Sequence, residues 1–189
     1  MIGTRDPADE ALQGWLEGDG AGVRAGSLAD TAEFGELIVL AVLGNAAEDA
    51  ISQAGPERFS GKVVIDATNP LDFSQGPPPR LSIAGHDSLG ECIQRAIPDA
   101  KVVKAFNTIG NAYFTDPDFA DGQPTMFIAG NDEAAKAVVA EVLESFGWPP
   151  AVDIGGIEGS RELEALCILW VKLGFKRGAW DHGFKLLAG

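Results

Sequence analysis

The sequence predicts a doubly wound α/β fold, in which helices cover both faces of a parallel β-sheet. Short, continuously apolar runs alternate with amphipathic segments, and such runs are typical of strands that are covered on both faces. Glycine and proline separate the segments, most clearly at residues 76–79, which can be neither helix nor central strand. Hydrophobic residues make up 46% of the 189 residues, enough for the core of one domain.

Five apolar runs are the predicted strands, at residues 38–42, 62–66, 102–106, 126–129 and 151–154. The segments that alternate with or flank them are the predicted helices, at residues 9–17, 28–34, 46–54, 89–96, 133–146 and 158–175. Strands and helices in this alternation indicate βαβ units, and therefore a parallel sheet.

Capping residues mark three of the predicted helix starts. Asp6 before Pro7 is predicted to cap the first helix, Ser27 the second, and Asn131 or Asp132 the fifth. The last predicted helix is apolar over much of its surface, so it must pack on the sheet domain, a partner subunit or a substrate pocket.

Composition and charge exclude several classes of function. The net charge of −14 argues against binding to nucleic acid or to an anionic membrane surface. The apolar stretch at residues 165–175 contains Lys172 and is too short to span a bilayer. Cys92 and Cys167 form no metal or redox motif, so we expect both to be buried apolar residues of a reducing, cytoplasmic protein that holds no metal.

One expected motif is missing. Dinucleotide-binding, Rossmann-like domains open with a strand and G-x-G-x-x-G, whose backbone amides approach the pyrophosphate. Gly18-Asp19-Gly20 and Gly155-Gly156 lack the strand-to-helix context of that motif. Residues 2–7 instead fit the end of the second strand of such a domain. We therefore expect an N-terminally truncated fold: a misassigned start or a fragment accounts for this better than a true deletion.

Thr4 and Arg5 stand where such a domain reads the ribose of its cofactor. A hydroxyl and a guanidinium suit a 2′-phosphate, because arginine pairs with two phosphate oxygens at once. This pattern indicates NADP(H) rather than NAD(H). The alternative is that Arg5 is only a surface charge at a strand end.

Several segments together resemble the family of NADP oxidoreductases dependent on coenzyme factor 420, a deazaflavin. The most specific is Pro-Asp-Ala-Lys-Val-Val-Lys-Ala-Phe-Asn-Thr at residues 98–108, beside Ala-Thr-Asn-Pro at residues 67–70. The other segments that carry the resemblance lie at residues 2–7, 37–42, 61–66, 153–158 and 180–185. The resemblance covers essentially the whole chain.

The resemblance implies hydride transfer between NADP(H) and coenzyme factor 420. No residue is diagnostic of the acceptor pocket, so another small redox acceptor, such as a flavin, a quinone or an imine, stays an alternative. Both reacting carbons then belong to cofactors, so no catalytic side chain is identified. Residues 1–155 would form the dinucleotide-binding domain, and residues 156–189 a C-terminal helical extension. The extension would pack on that domain or on a partner subunit, and a second copy of this chain as the partner would make a homodimer. The alternative function is a non-catalytic remnant or interaction domain.

The resemblance also implies roles for residues at three strand ends. Ala41 and Val42 would pass along the pyrophosphate or nicotinamide side of the cofactor, or else belong to the strand core. Asn69 and Pro70 would hold the nicotinamide ribose or carboxamide, or else form an Asx-turn. The remaining pair, Asn107 and Thr108, would line the acceptor pocket or cap a helix.

Overall fold

The computed structural model describes residues 1–187, so residues 188 and 189 of the predicted extension lie outside the described residues. The strands are β1 (Ile2–Gly3), β2 (Ala25–Gly26), β3 (Leu37–Leu40), β4 (Val63–Asp66), β5 (Leu71–Asp72), β6 (Arg80–Leu81), β7 (Lys101–Lys104), β8 (Phe127–Gly130) and β9 (Val152–Asp153). The helices are α1 (Glu10–Glu17), α2 (Leu28–Phe34), α3 (Ala47–Ala54), α4 (Leu89–Ala96), α5 (Glu133–Ser145) and α6 (Ser160–Arg177). All six predicted helices and all five predicted strands are present; α2 and α4 have the predicted bounds, and the ends of the other elements are shifted by at most two residues. The short strands β2, β5 and β6 were not predicted.

The central sheet has five strands in the order β3-β4-β7-β8-β9. Strands β3, β4 and β7 are parallel, as predicted, and Ile38, Val64 and Val102 lie in one row across them. Strand β8 is antiparallel to β7, which corrects the prediction of a wholly parallel sheet. The reason is the connection: residues 105–126 contain no α-helix to carry the chain back across the sheet.

Strands β1 and β2 form a separate parallel pair beside the central sheet. A cavity of about 790 Å³ lies between β1 and β3, lined by residues of both. Val39 of β3 faces this cavity and is 54% exposed. The prediction that this run is covered on both faces is therefore wrong at Val39, because the cavity leaves its side of β3 open.

Two apolar clusters cover the two faces of the central sheet. One joins Ile38 and Val64 to Ile51 of α3 and Ile93 of α4. The other joins strand residues to α5 and to the aromatic loop after β7, with Ile65, Val103, Ile128, Val139, Leu143 and Phe106 among its members. Since helices pack on both faces of the sheet, its polar chemistry is confined to the ends of the strands.

The observed helix caps agree with the prediction at two of three sites. Ser27 caps α2 in a reciprocal box with Asp30, and Asp132 caps α5 by accepting from the Ala135 N–H. The predicted cap Asp6 is wrong, because Asp9 accepts from the Leu12 N–H at the start of α1. Asp6 instead accepts from the Ala8 N–H in the preceding turn.

Helix α6 packs against α4 and the β5–β6 hairpin. It ends at Gly178, in the left-handed conformation (φ 65°), and the chain then folds back along the helix. The His182 ring stacks on Trp170 with ring centroids 4.8 Å apart, and the Trp170 indole N–H donates to the His182 carbonyl. His182 therefore packs the C-terminal segment onto α6.

Candidate functional site

The carboxyl ends of β1, β3 and β4 meet at one edge of the molecule, where two cavities adjoin. The first cavity, about 340 Å³, lies at the end of β1 and includes Thr4 and Arg5 in its walls. The second, about 590 Å³, lies beyond β3 and β4 and includes Asn69. Val42 and Leu43 line both cavities. Thr4, Arg5 and Asn69 thus lie along a single rim at the carboxyl ends of the strands.

Thr4 and Arg5 follow β1 directly, and their side chains differ in freedom. The Thr4 hydroxyl accepts from the Asp6 N–H at 3.1 Å, which ties it to the turn before α1. Arg5 is exposed, and no ion pair holds it within residues 1–187. Asp49 and Gln53 of α3 form the opposite wall of the cavity. The Arg5 guanidinium is therefore available to bind an anion.

Ala41 and Val42 both line the cavity beside β3, but only Val42 also lines the two rim cavities. Val42 borders all three cavities: the gap beside β3 and the two cavities of the rim. Ala41 lines only the gap of about 790 Å³ among these three. Leu43, next in the chain, is 78% exposed and separates the two rim cavities.

Two hydrogen bonds to Asn107 hold the side chain of Asn69. Its Nδ2 donates to the Asn107 carbonyl at 2.8 Å, and its Oδ1 accepts from Asn107 Nδ2 at 3.0 Å. Asn107 Nδ2 also donates to the Leu163 carbonyl of α6, at 2.9 Å. Asn69 therefore lines the second cavity from a position that the loop after β7 supports directly, and α6 supports through Asn107.

Pro70, Asn107 and Thr108 lie behind the cavities rather than in their walls. Pro70 is buried, and its carbonyl accepts from the Ser82 N–H at 2.8 Å, which anchors the strand pair β5–β6. Asn107 and Thr108 are 4% and 6% exposed. In this structure, Asn107 reaches the second cavity only through Asn69, and the predicted contact of Asn107 and Thr108 with an acceptor stays a prediction.

A left-handed residue directs Asn107 toward Asn69. Phe106 has φ 62°, which is rare for a bulky side chain and costs of order 1–3 kcal/mol. Its ring packs on Phe114, with centroids 5.0 Å apart, and its N–H donates to the Met126 sulfur. The packing of Phe106 therefore maintains a backbone turn that the local sequence disfavours.

A buried charge cluster behind Asn69 was missed by the sequence analysis. The Lys104 ammonium, fully buried at the end of β7, donates to Asp66 Oδ2 at 2.9 Å, Glu164 Oε1 at 2.9 Å and the Thr68 carbonyl at 2.7 Å. Burial lowers the pKa of Lys104, but the two carboxylates outweigh that effect and raise it above its ordinary value. Lysine inside an otherwise apolar strand was the signal that could have indicated this cluster.

The two thiols offer no nucleophile at the site. Burial raises the pKa of Cys167 to about 12, and burial also raises the pKa of the half-buried Cys92. Across residues 1–187, no group of three His, Cys, Asp or Glu side chains is placed so that it could hold a metal ion. Within the same residues, no helix is both long and apolar enough to cross a membrane.

Comparison with known proteins supports the resemblance noted in the sequence. The family profile described as "NADP oxidoreductase coenzyme F420-dependent" matches residues 1–70. An F420-dependent NADP reductase of Methanothermobacter marburgensis is 30% identical, in an alignment that covers 98% of this chain and 86% of that protein. The chain belongs to the family of F420-dependent NADP oxidoreductases.

Two further relatives support the membership, one by its sequence and one by its structure. The F420-dependent NADP reductase of Methanocaldococcus jannaschii is 30% identical over 83% of this chain and 70% of its own length. A crystal structure of a protein assigned as an F420-dependent NADP reductase from Arthrobacter sp. FB24 is 41% identical, with a TM-score of 0.94 over 99% of this chain and 87% of that chain. The family fold thus extends over nearly the whole chain, and the Rossmann-like α/β prediction is confirmed.

Proposed function

We propose that this chain binds NADP(H) along the rim of the sheet and transfers hydride between the nicotinamide and a small redox acceptor. The observation that carries the proposal is the pair of adjoining cavities that share Val42 and Leu43. The family membership supports the same cofactor. Within this proposal, residues 1–155 bind the dinucleotide and residues 156–189 form the extension that packs on them.

The residues at the rim fit the parts of the cofactor. Arg5, with Thr4 beside it, suits the 2′-phosphate, because a guanidinium binds phosphate through paired hydrogen bonds. Asp49, in the opposite wall, suits hydrogen-bond donors of the adenosine rather than its phosphate. Val42 and Leu43 present apolar contact, and Asn69 presents amide groups that suit the nicotinamide ribose or carboxamide.

The chain's own contribution would be orientation and exclusion of water. When bound, NADPH supplies the hydride, and the acceptor takes up that hydride with a proton as NADP⁺ forms. Asn69, fixed by Asn107, would limit the rotation of the nicotinamide end. Val42 and Leu43 would exclude water from the transfer path, because a dry, fixed geometry lowers the barrier to transfer.

We propose a deazaflavin of the coenzyme F420 type as the acceptor. The cavity of about 590 Å³ beyond Asn69 has partly exposed apolar walls, with Leu43 78% and Phe73 52% exposed. Exposed apolar walls of this kind suit a flat ring system. A flavin, a quinone or an imine would use the same walls, so oxidation of NADPH with each acceptor in turn discriminates among them.

The proposed cofactor choice is tested by titrating NADPH and NADH against intrinsic tryptophan fluorescence. We expect saturable NADPH binding and much weaker NADH binding. Arg5→Ala should weaken NADPH binding by about 10- to 100-fold, since a charge-assisted contact contributes about 1.5–3 kcal/mol, and should leave NADH unchanged. Arg24→Ala, which removes an exposed arginine that contacts Phe34 instead, is the control. Equal affinity for NADPH and NADH would contradict the proposed role of Thr4 and Arg5.

The gap between β1 and β3 favours a second candidate, a non-catalytic domain that binds no dinucleotide. Pyrophosphate needs backbone N–H groups, and among residues 1–187 no G-x-G-x-x-G turn supplies them at this edge. The same titration separates the two candidates. Absence of saturable NADPH binding supports the non-catalytic domain, and saturable binding with micromolar affinity excludes it.

A homodimer through α6 also stays a proposal. Leu169, on the exposed side of this helix, is 49% exposed, whereas Cys167 and Trp170 are buried. Light scattering of the wild type and of Leu169→Lys tests it: a mass near that of two chains that falls on substitution is the expected result. A wild type of one-chain mass would contradict the homodimer.

A further inference from the structure

We propose that Lys104, held by Glu164, is a positioning residue that fixes the Thr68–Asn69 turn in the cofactor site. This inference rests on the proposed function and deepens it, because it assigns a role in the site to α6. Neither Lys104 nor Glu164 lines a rim cavity. Both would act on the cofactor only through the turn.

Every polar group of Thr68 is held by the charge cluster. Asp66 Oδ1 accepts from the Thr68 N–H at 2.9 Å and from its hydroxyl at 2.6 Å. The Thr68 carbonyl accepts from Lys104 Nζ at 2.7 Å. Asn69 is the next residue, so these three bonds hold the residue from which its backbone continues, and Asn107 holds its side chain.

Glu164 connects this cluster to α6 and α4. Its Oε1 accepts from Lys104, and its two carboxylate oxygens accept from the N–H groups of Leu89 and Gly90 at 3.0 Å each. These N–H groups are in the first turn of α4, where the helix dipole is positive. The Lys104 ammonium is therefore shared by two carboxylates, and Glu164 also accepts from the helix end, so each of these almost completely buried charges has a partner.

Stability alone does not require this arrangement, because a buried ion pair contributes little compared with apolar residues of equal size. The position of the cluster is more informative than its energy: three of its bonds end on the residue before Asn69. A buried ammonium directed at a backbone carbonyl also restricts the turn to one conformation. We infer that the cluster fixes the position of Asn69 in the cavity.

The test is the double variant Lys104→Met/Glu164→Gln, which removes one charge of each sign and leaves the net charge of the cluster unchanged. The matched control is Lys136→Met, since Lys136 is also buried and also pairs with two carboxylates, Glu133 and Asp153, away from the turn. We expect the double variant to weaken NADPH binding by about tenfold or more. The control should bind as the wild type does.

A second measurement does not depend on the cofactor. In ¹⁵N NMR spectra without NADPH, we expect the Asn69 side-chain amide to shift and to exchange faster with water in the double variant, but not in Lys136→Met. If the wild type binds no NADPH, the proposed function fails, while the NMR comparison still tests the positioning role. An unchanged Asn69 amide overturns the proposal, and so does a shifted amide with unchanged NADPH affinity.

If the double variant does not fold, Glu164→Gln alone serves as the variant, because it keeps the Lys104–Asp66 pair and has the size of the native side chain. A smaller effect in the same direction on both the amide and NADPH affinity is expected. No effect on either would overturn the role of Glu164.

Discussion

Asn69 is enclosed on its backbone side by a glycine from the neighbouring strand end. A Cβ placed on Gly44 would lie 2.0 Å from the Asn69 carbonyl oxygen, a distance at which one of the two backbone segments must move. Gly44 begins the short turn that precedes α3, so the loops after β3 and β4 touch backbone to backbone. Gly44 and Asn69 both line the second cavity, so this contact forms part of its wall.

Replacement of Gly44 by alanine tests that contact. We expect Gly44→Ala to destabilise the fold by about 1–3 kcal/mol, because the added methyl displaces backbone rather than a flexible side chain, and to weaken NADPH binding. Urea unfolding and the NADPH titration measure the two effects. Gly14→Ala is the control: Gly14 lies in α1 with nothing within 4 Å of the added Cβ, so the substitution should stabilise by about 0.5–1 kcal/mol. Equal behaviour of the two variants would contradict the close approach.

At the scale of elements, α6 is joined to α4 by an ion pair as well as by Glu164. Glu91 of α4 accepts two hydrogen bonds from the Arg161 guanidinium of α6. Hydrogen bonds from Arg161 lower the pKa of Glu91 below its usual value and outweigh the effect of burial. The Glu91–Arg161 contact between α4 and α6 is therefore made by an ionised carboxylate.

From the Glu91–Arg161 pair, we predict that acid lowers the folding stability. The folded-state pKa of Glu91 is depressed, so its contribution to stability is present above the unfolded value of about 4.5 and is lost as the pH falls through the folded value. We expect the urea midpoint to fall less between about pH 5.5 and about pH 3.5 in Glu91→Gln than in the wild type. Glu144→Gln, which removes an exposed carboxylate of α5, is the control. A fall equal to that of the wild type would count against the Glu91–Arg161 pair.

At the scale of the whole molecule, the dominant feature is the cavity of about 790 Å³ that separates the β1–β2 pair from the central sheet, called the gap below. Strand β1 pairs only with β2, and β3 pairs only with β4, so each has an edge without a partner strand within residues 1–187. The cavity between them has apolar residues in its walls, including Ile2, Phe34 and Val39. Unpaired edges beside apolar surface favour association with other chains.

A charge in the gap should reduce that association. We expect the 189-residue chain to bind a hydrophobic dye and to aggregate on warming, and Val39→Lys to lower both, because a lysine on an edge strand opposes strand pairing. Val138→Lys, on exposed α5 surface at 38% exposure, should change neither. Dye fluorescence and static light scattering are the measurements. The same effect from both variants would show that charge in general, rather than the gap, controls association.

The elements follow from the sequence because local patterns suffice for them. Apolar runs marked β3, β4 and β7, and caps such as Ser27 and Asp132 marked helix starts, since these signals act within a few residues. The placement of Thr4 and Asn69 near one edge followed from a general property: parallel strands end on the same side. The motifs at residues 67–70 and 98–108 carried the family itself.

Tertiary structure alone decided how Asn69 is held and where the sheet is open. Lys104, Thr68 and Glu164 are far apart in the sequence, and which buried charges meet depends on packing between elements that no local pattern encodes. The direction of β8 and the exposure of Val39 depend likewise on neighbours across the sheet. Local periodicity shows which side of a strand is apolar, but only the assembled fold determines what, if anything, covers it.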